Sequence, residues 1–289
     1  MPSPANQISS ALGVAIRNVH ELSGGCISRV MAGNAGEYGE IVAKLGDSVG
    51  DLTIEAEMLE DLARLTQLPV PRVLHSAKSL LVMERLPGSP GASQAAQRHL
   101  AELVAELHGV GGSSYGYVRD TLIGPLPQPN PAMDRWATFF AQHRLIHFAQ
   151  MAHDRRTLPA GGLEHAHRLA EAIEQRPENF VAEGQPSVLI HGDLWSGNIL
   201  SDGDRITGLI DPAIYYADRE IELAFMDLFG GVGPAFFERY HELRPIAGGF
   251  FERRRAMYQI YPLLVHAVLF GGGYGARAVD AMRRTMANA

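Results

Sequence analysis

The run "HGDLWSGNILSDGDRITGLIDP" from His191 to Pro212 constrains this chain more than any other stretch. It sets an Asn five residues after an Asp, passes through a turn into a short apolar strand, and ends that strand on a second Asp. A loop that merely connects two elements has no use for this spacing. Three side chains are implicated together, Asp193, Asn198 and Asp211.

The chain upstream reads as strand, glycine turn, strand, helix, strand. "NVHELSGGCISRVMAG" places a glycine-rich turn between extended segments. "EYGEIVAKL" alternates, so that Ile41, Ala43 and Leu45 face one side while Val42 and Lys44 face the other. "TIEAEMLEDLARL" puts Ile54, Met58, Leu62 and Leu65 on one helical face, and the prolines of "LPVPRVLH" stop that helix. "SLLVMERLPG" is a buried-type strand running into a Pro-Gly turn, and the boundary between lobes is expected near residue 86. Beyond it the pattern turns helical, with Leu100, Leu103, Val104 and Leu107 at helical spacing and further helices in "MDRWATFFAQHRLIHFAQMA", "REIELAFMDLF" and "RRAMYQIYPLLVHAVLFGG". The expected class is α+β: a small β-rich lobe over residues 1–86 and a larger, mainly helical lobe over 87–289.

Composition narrows the function classes. The 289 residues carry a net charge of -7 with no basic tract, which argues against a nucleic-acid partner, since phosphate-backbone affinity needs clustered Lys and Arg. No apolar run reaches the roughly 18 residues of a membrane span, and the N-terminus has neither the basic start nor the apolar run of a signal peptide. A soluble, cytoplasmic protein is expected. One cysteine, Cys26, excludes an internal disulfide and suits a reducing compartment. Of the 25 basic residues only Lys44 and Lys78 are lysine, so a retained lysine is a candidate for work that arginine does badly. Lys78 reads as an exposed turn residue; Lys44 ends an apolar strand.

Phosphoryl transfer from ATP needs little covalent help, mainly positioning and charge neutralisation. A carboxylate must meet the attacking hydroxyl, oxygen ligands must hold Mg2+ against the phosphates, and a cation must steady the phosphate chain. Asp193 supplies the first; Asn198 and Asp211 each offer an oxygen to the metal; Lys44 supplies the cation. Gly24 and Gly25 in "LSGGCIS" allow backbone N–H groups to approach a phosphate. That turn is not a dinucleotide site, because it has no G-x-G-x-x-G and no helix starts directly after it.

The Asp-x4-Asn and following Asp resemble the protein-kinase-like fold, and His-Gly-Asp is typical of its small-molecule branch, which includes aminoglycoside and choline kinases. Within that branch "HGDLWSGN" and "DPAIYYADREIELA" resemble the fructosamine kinase (ketosamine 3-kinase) family, and "SGGCISRV", "LVMERL", "RWATFFAQHRL" and "HAVLFGGGY" resemble it in order. The resemblance covers nearly the whole chain and implies ATP-dependent phosphorylation of the sugar 3-hydroxyl of ketosamines. The 3-phosphate makes such adducts unstable, so the amine is released, a deglycation repair. Carried over, Asp193 is the catalytic base, Asn198 and Asp211 are magnesium ligands, Lys44 binds phosphate within a nucleotide site that includes Gly24, Gly25 and Ser28, and Glu84 and Leu86 lie at the hinge that meets adenine.

The glutamate partner of Lys44 is expected to be Glu57, counting back from "LPVP" as in related kinases, although helical periodicity alone sets Glu55 nearer the apolar stripe. Trp195, just after the base, would wall the acceptor site and suit a sugar C–H face or a protonated amine. His266 is a second candidate on the acceptor side, in a helix more apolar than the family's. Asp218, Arg219 and Glu220 read as a stabilising ion network. His143 and His147 have zinc-pair spacing but no third ligand nearby. Cys26, in the phosphate loop, could become a reactive thiolate and link two chains on oxidation. Two rival readings are an aminoglycoside or other amino-alcohol phosphotransferase, which would call for acidic groups gathered near Asp193, and a non-catalytic nucleotide-binding scaffold, which sits badly with a complete Lys44, Asp193, Asn198 and Asp211 set.

Overall fold

The computed structural model describes residues 3–22, 29–46 and 50–288. Five strands, β1 (Arg17–Glu21), β2 (Arg29–Asn34), β3 (Glu40–Leu45), β4 (Val73–Ala77) and β5 (Leu80–Glu84), form an antiparallel sheet in the order β1-β2-β3-β5-β4. β3 is central, and its register sets Lys44 between Val30 and Leu81. The alternation read in β3 holds. Ile41, Ala43 and Leu45 enter one apolar cluster with Met31 and Val82, while Val42 packs on the other face with Leu81 and Met83.

Both faces are covered by helices. The first face takes α1 (Pro4–Leu12), which seats Ile8 in that cluster; Ser3 caps its first turn and Gly13, in the left-handed region, ends it. The sequence reading gave this helix no place. The second face takes α2 (Leu52–Leu65), whose Leu52, Ala56 and Leu59 recur at helical spacing and bury against Leu81 and Met83. Asp51 starts α2 by accepting the Thr53 N–H at 3.0 Å.

After β5 the chain forms the two-residue strand β6 (Ser89–Pro90) and α3 (Gln94–Leu107), which buries Ala96, Leu100, Ala101, Val104 and Leu107. A hairpin of β7 (Thr121–Ile123) and β8 (Leu126–Gln128) follows, then a helical run over 136–154. Phe140–Ile146 of that run is wound as a π-helix. This wider turn sends Arg144 fully inward, where it donates to Asn130 Oδ1 at 2.5 Å and lies 3.9 Å from the Tyr215 ring centroid. Four short strands carry the functional loop: β9 (Val188–Ile190), β10 (Ile199–Asp202), β11 (Arg205–Leu209) and β12 (Tyr215–Ala217). β12 pairs with β9, and β10 lies between β11 and β6.

One apolar cluster runs through the helical part to Met282 near the C-terminus and takes in Met58 and Leu62 from the far face of α2. His143 lies against Phe139, and His147 sits 3.3 Å from the Pro127 carbonyl. Among the described residues no group of three or more His, Cys, Asp or Glu is arranged to hold a metal, and no helix is long and apolar enough to cross a membrane.

Candidate active site

Lys44 leaves β3 on the face that α2 covers. Its Nζ donates to Glu55 Oε1 at 2.6 Å and to Asp211 Oδ1 at 2.7 Å, and the residue is only 8% exposed. Burial alone would favour the neutral amine. The charges of Asp211 and Glu55 outweigh it and hold the ammonium well above the ordinary lysine range. The partner is therefore Glu55, not Glu57. Position 55 sits beside the stripe of Leu52, Ala56 and Leu59 that faces the sheet, whereas Glu57 points to the opposite side and pairs with Arg119 at 2.8 Å. Helical periodicity favoured Glu55 although the stripe it rested on, Ile54, Met58, Leu62 and Leu65, packs on the helical part and not on the sheet; counting back from the prolines gave the wrong residue.

Asp211 follows β11 with φ at +56°, a left-handed conformation that Asp tolerates better than most residues. Neighbouring backbone bonds fix it: Ile210 N–H donates to Asn198 O at 3.0 Å, and Ala213 N–H to His191 O at 2.8 Å. Its side chain is 42% exposed.

Asp193 lies in the loop after β9. The Asn198 amide nitrogen donates to Asp193 Oδ2 at 3.0 Å and to its carbonyl at 2.9 Å. Burial and the neighbouring charge of Asp211 push the Asp193 carboxyl well above the usual carboxylate range, against the hydrogen bond from Asn198 and the charge of Lys44. A base with raised proton affinity suits general-base work. His191 is fully buried, and burial pushes its pKa down to about 4. The ring is thus neutral, and its Nδ1 faces the Asp193 N–H at 3.4 Å.

Gly192 explains the middle of the His-Gly-Asp motif. Its φ is +85°, and a Cβ there would fall 2.1 Å from the Ala213 carbonyl oxygen, so only glycine fits. Its N–H donates to Glu222 Oε1 at 2.7 Å. Glu222 Oε2 lies 3.0 Å from His108 Nε2, and His108 Nδ1 lies 2.7 Å from the Tyr240 hydroxyl. Burial pushes the His108 pKa down, so this ring too is neutral. Sequence reasoning missed Glu222 and His108. The available signal was a glutamate set among apolar neighbours in "IELAFM", which must find a buried partner.

Trp195 is half-buried, with its indole folded over Gly197; a Cβ on Gly197 would lie 2.4 Å from the ring. A Cβ on Gly231 would lie 3.1 Å from the Ser196 nitrogen, so the segment after the helix Glu220–Leu228 packs against this loop. His266 Nδ1 bonds the Pro262 carbonyl at 2.9 Å, its ring lies 4.5 Å from that of Phe229 and 5.1 Å from that of Tyr274, and among the described residues it bonds no acidic group. Phe229 in turn is followed by Gly230 and Gly231, and Gly231 packs on the Trp195 loop. Glu84 ends β5 beside Arg72, and Leu86 packs over Gly208 where the sheet gives way to β6. Gly24, Gly25, Cys26 and Ser28 lie outside the described residues. Of the expected ion network only Glu220 forms an ion pair among the described residues, clasped by Arg254 with two bonds of 2.6 and 2.8 Å; Tyr258 donates to Asp218 at 3.0 Å, and Arg219 bonds the Pro245 carbonyl at 2.7 Å.

The donor chemistry fits a hard cation. Asn198 spends its nitrogen on Asp193, its amide oxygen accepts no bond among the described residues, and Asp211 keeps its second oxygen. Two oxygen donors with the balance supplied by water and phosphate is the usual protein share for Mg2+.

A β-sheet holding a lysine against a carboxylate that follows a hairpin strand, over a helical part holding Asp193 and Asn198, defines a protein-kinase-like phosphotransferase. An aminoglycoside phosphotransferase, APH(4)-Ia, shares this fold at a TM-score of 0.68 and 20% identity, over 98% of this chain and 97% of that one. The chain belongs to the fructosamine kinase family, whose model, "Fructosamine kinase", matches residues 1–288. A provisionally named ketoamine kinase of Synechocystis is 37% identical over 98% of this chain and 95% of its own length. A crystal structure from Thermobifida fusca that carries the provisional name fructosamine-3-kinase superposes with a TM-score of 0.84 at 29% identity, covering 99% of each chain.

Proposed function

We propose that this protein transfers the γ-phosphoryl group of ATP to the sugar 3-hydroxyl of ketosamines, and that the unstable product releases the amine. The observation that carries the reading is a pair of bonded groups, Lys44 with Glu55 and Asp211 at 2.6 and 2.7 Å and Asn198 with Asp193 at 3.0 Å, set side by side by the Ile210 N–H bond to the Asn198 carbonyl and close enough that the Asp211 charge acts on Asp193. Asp193 accepts the proton of the attacking hydroxyl as its oxygen bonds to phosphorus and the bond to the bridging oxygen breaks, leaving ADP. Asn198 keeps the Asp193 carboxylate oriented. Lys44 is held charged and aimed by Glu55, ready to neutralise phosphate oxygens. Asn198 and Asp211 would hold Mg2+, which when bound neutralises charge on the phosphate chain. The half-buried Trp195 would offer an apolar wall to the sugar, and His266 is a second acceptor-side candidate. The single cysteine and the acidic, span-free chain suit a cytoplasmic setting.

ATP consumption with Mg2+ against ribulosyl-lysine, fructosyl-lysine and kanamycin, run beside Asp193→Asn, tests this. Turnover of a ketosamine that is lost in the variant is expected. Turnover of kanamycin alone would overturn the ketosamine assignment, and silence on all three would overturn the kinase assignment.

A further inference from the structure

Glu57 has a different partner from the one its spacing suggests, and that partner sits on an informative segment. Arg119 Nε lies 2.8 Å from Glu57 Oε2, and Arg119 donates through its terminal nitrogen to Asp61 Oδ2 at 2.5 Å. The Tyr117 hydroxyl donates to the same Asp61 oxygen at 2.7 Å, and the Arg119 guanidinium lies 5.4 Å from the Tyr117 ring centroid. Glu57 and Asp61 are one turn apart on α2, so one arginine spans both. They occupy the side of α2 away from Glu55. The helix is thus held from two sides, by Lys44 of the sheet and by Arg119 of the helical part.

The segment that carries Arg119 is tied to the catalytic loop. Gly116 and Tyr216 exchange backbone bonds of 2.9 and 2.8 Å, and Tyr216 of β12 pairs with Leu189 of β9, the strand that leads into His191 and Asp193. Tyr117 N–H donates to Asn130 O, and Asn130 N–H to Asp120 Oδ1, fixing the segment on either side of Arg119. The route from β9 to α2 is therefore continuous in hydrogen bonds and ion pairs.

We propose that Arg119 is a positioning residue that latches α2 to the β9–β12 ribbon and so keeps the Glu55–Lys44 pair in register with Asp211. Its side chain is 34% exposed and those of Glu57 and Asp61 are 49% and 14% exposed, which makes the latch partly solvated, stronger than a lone surface pair and openable. Only the ATP readout below rests on the kinase reading; the helix readout does not.

The test compares the whole protein with Arg119→Met, which keeps the apolar stem, and Arg119→Lys, which keeps a charge but can hold only one carboxylate well. Amide hydrogen exchange should be roughly fivefold faster across α2 in Arg119→Met with β9 unchanged, and partly restored in Arg119→Lys. The KM for ATP should rise by about the same factor while kcat moves less than twofold, and the rise should vanish in a Glu55→Gln background, where Lys44 has already lost its guide. Unchanged exchange in α2, equal acceleration throughout the protein, or an undiminished KM effect beside Glu55→Gln would each overturn the latch. A wild-type protein that turns over no substrate would overturn the kinase reading, and α2 exchange would still decide the latch.

Discussion

Lys44 and Asp193 approach Asp211 from the two parts of the molecule, yet their settings differ. Lys44 is held by carboxylates: Glu55 from α2 and Asp211 from beyond β11. Asp193 is held by neutral donors and backbone, with the Asn198 amide on its carboxylate and the Gly192 N–H beside it tied to Glu222 within the helical core. A phosphate oxygen can take the place of a carboxylate oxygen on an ammonium, so a lysine held this way can pass from Asp211 to a phosphate without being left unpaired. A loop fixed by buried hydrogen bonds resists displacement, because an orphaned buried donor costs about 1–3 kcal/mol. The cation side is built to be handed over and the base side to stay where it is.

That contrast breaks first at Asp193. Asp193→Asn is expected to lower kcat by about 10³-fold or more, while the melting temperature stays level or rises, since the variant removes a carboxyl that burial disfavours. A matching loss of folded protein in a thermal melt would show that Asp193 is structural.

Acid should weaken the base side next. His191 has a folded pKa of about 4, set by burial, below the ordinary histidine value of about 6.5. The unfolded chain binds the extra proton between those values, so the stability this neutral ring contributes is complete above pH 6.5 and is lost as pH falls toward 4. The shift corresponds to about 3 kcal/mol. Denaturant unfolding of wild type and His191→Asn at pH 7 and pH 4.5 should show their stabilities converging by that order at the lower pH; a constant gap would mean that His191 is not buried neutral.

Glu222→Gln should cost less, about 2 kcal/mol, because the amide oxygen can still accept from Gly192 and only the charge-assisted part of the two bonds is lost. Its signature is a fall in both kcat and melting temperature with KM for ATP steady. A rise in KM alone would place Glu222 on the wrong side of the comparison.

What could be read from the chain follows the same division. The base side is local: Asp193, Asn198 and Asp211 lie within one hairpin, so spacing alone assembles them, and Gly192 is demanded by the Ala213 carbonyl at the far end of the same stretch. The β3 alternation likewise placed Lys44 on the correct face, because period two leaves only two choices. What spacing could not give were partners supplied by other elements. Glu222 sits 30 residues from Gly192 and His108 a further 114 from Glu222, with no periodicity to connect them. Helix α1 escaped because it is only nine residues long, with Ile8 its one fully buried side chain among mostly small and polar neighbours. Glu57 was misassigned because its place relative to the prolines says nothing about helix phase, whereas a rotation of about 100° per residue sets it on the far side from Glu55.

The smallest effect sharpens the comparison most, since it separates two glutamates only two positions apart on one helix. Glu55→Gln removes one of two anions from an ammonium that is almost fully buried, so Lys44 leans toward Asp211 and is less available to phosphate. The KM for ATP should rise about tenfold, which is 1.4 kcal/mol, with a smaller change in kcat. Glu57→Gln leaves Asp61 to hold Arg119 and keeps Lys44 fully partnered, so its KM should rise no more than about twofold. Raising the salt concentration should shrink the Glu57 effect, whose ion pair is half exposed, and leave the Glu55 effect in place. Equal effects from the two substitutions, or equal salt sensitivity, would mean that α2 responds to its total charge and not to which of its faces meets the lysine.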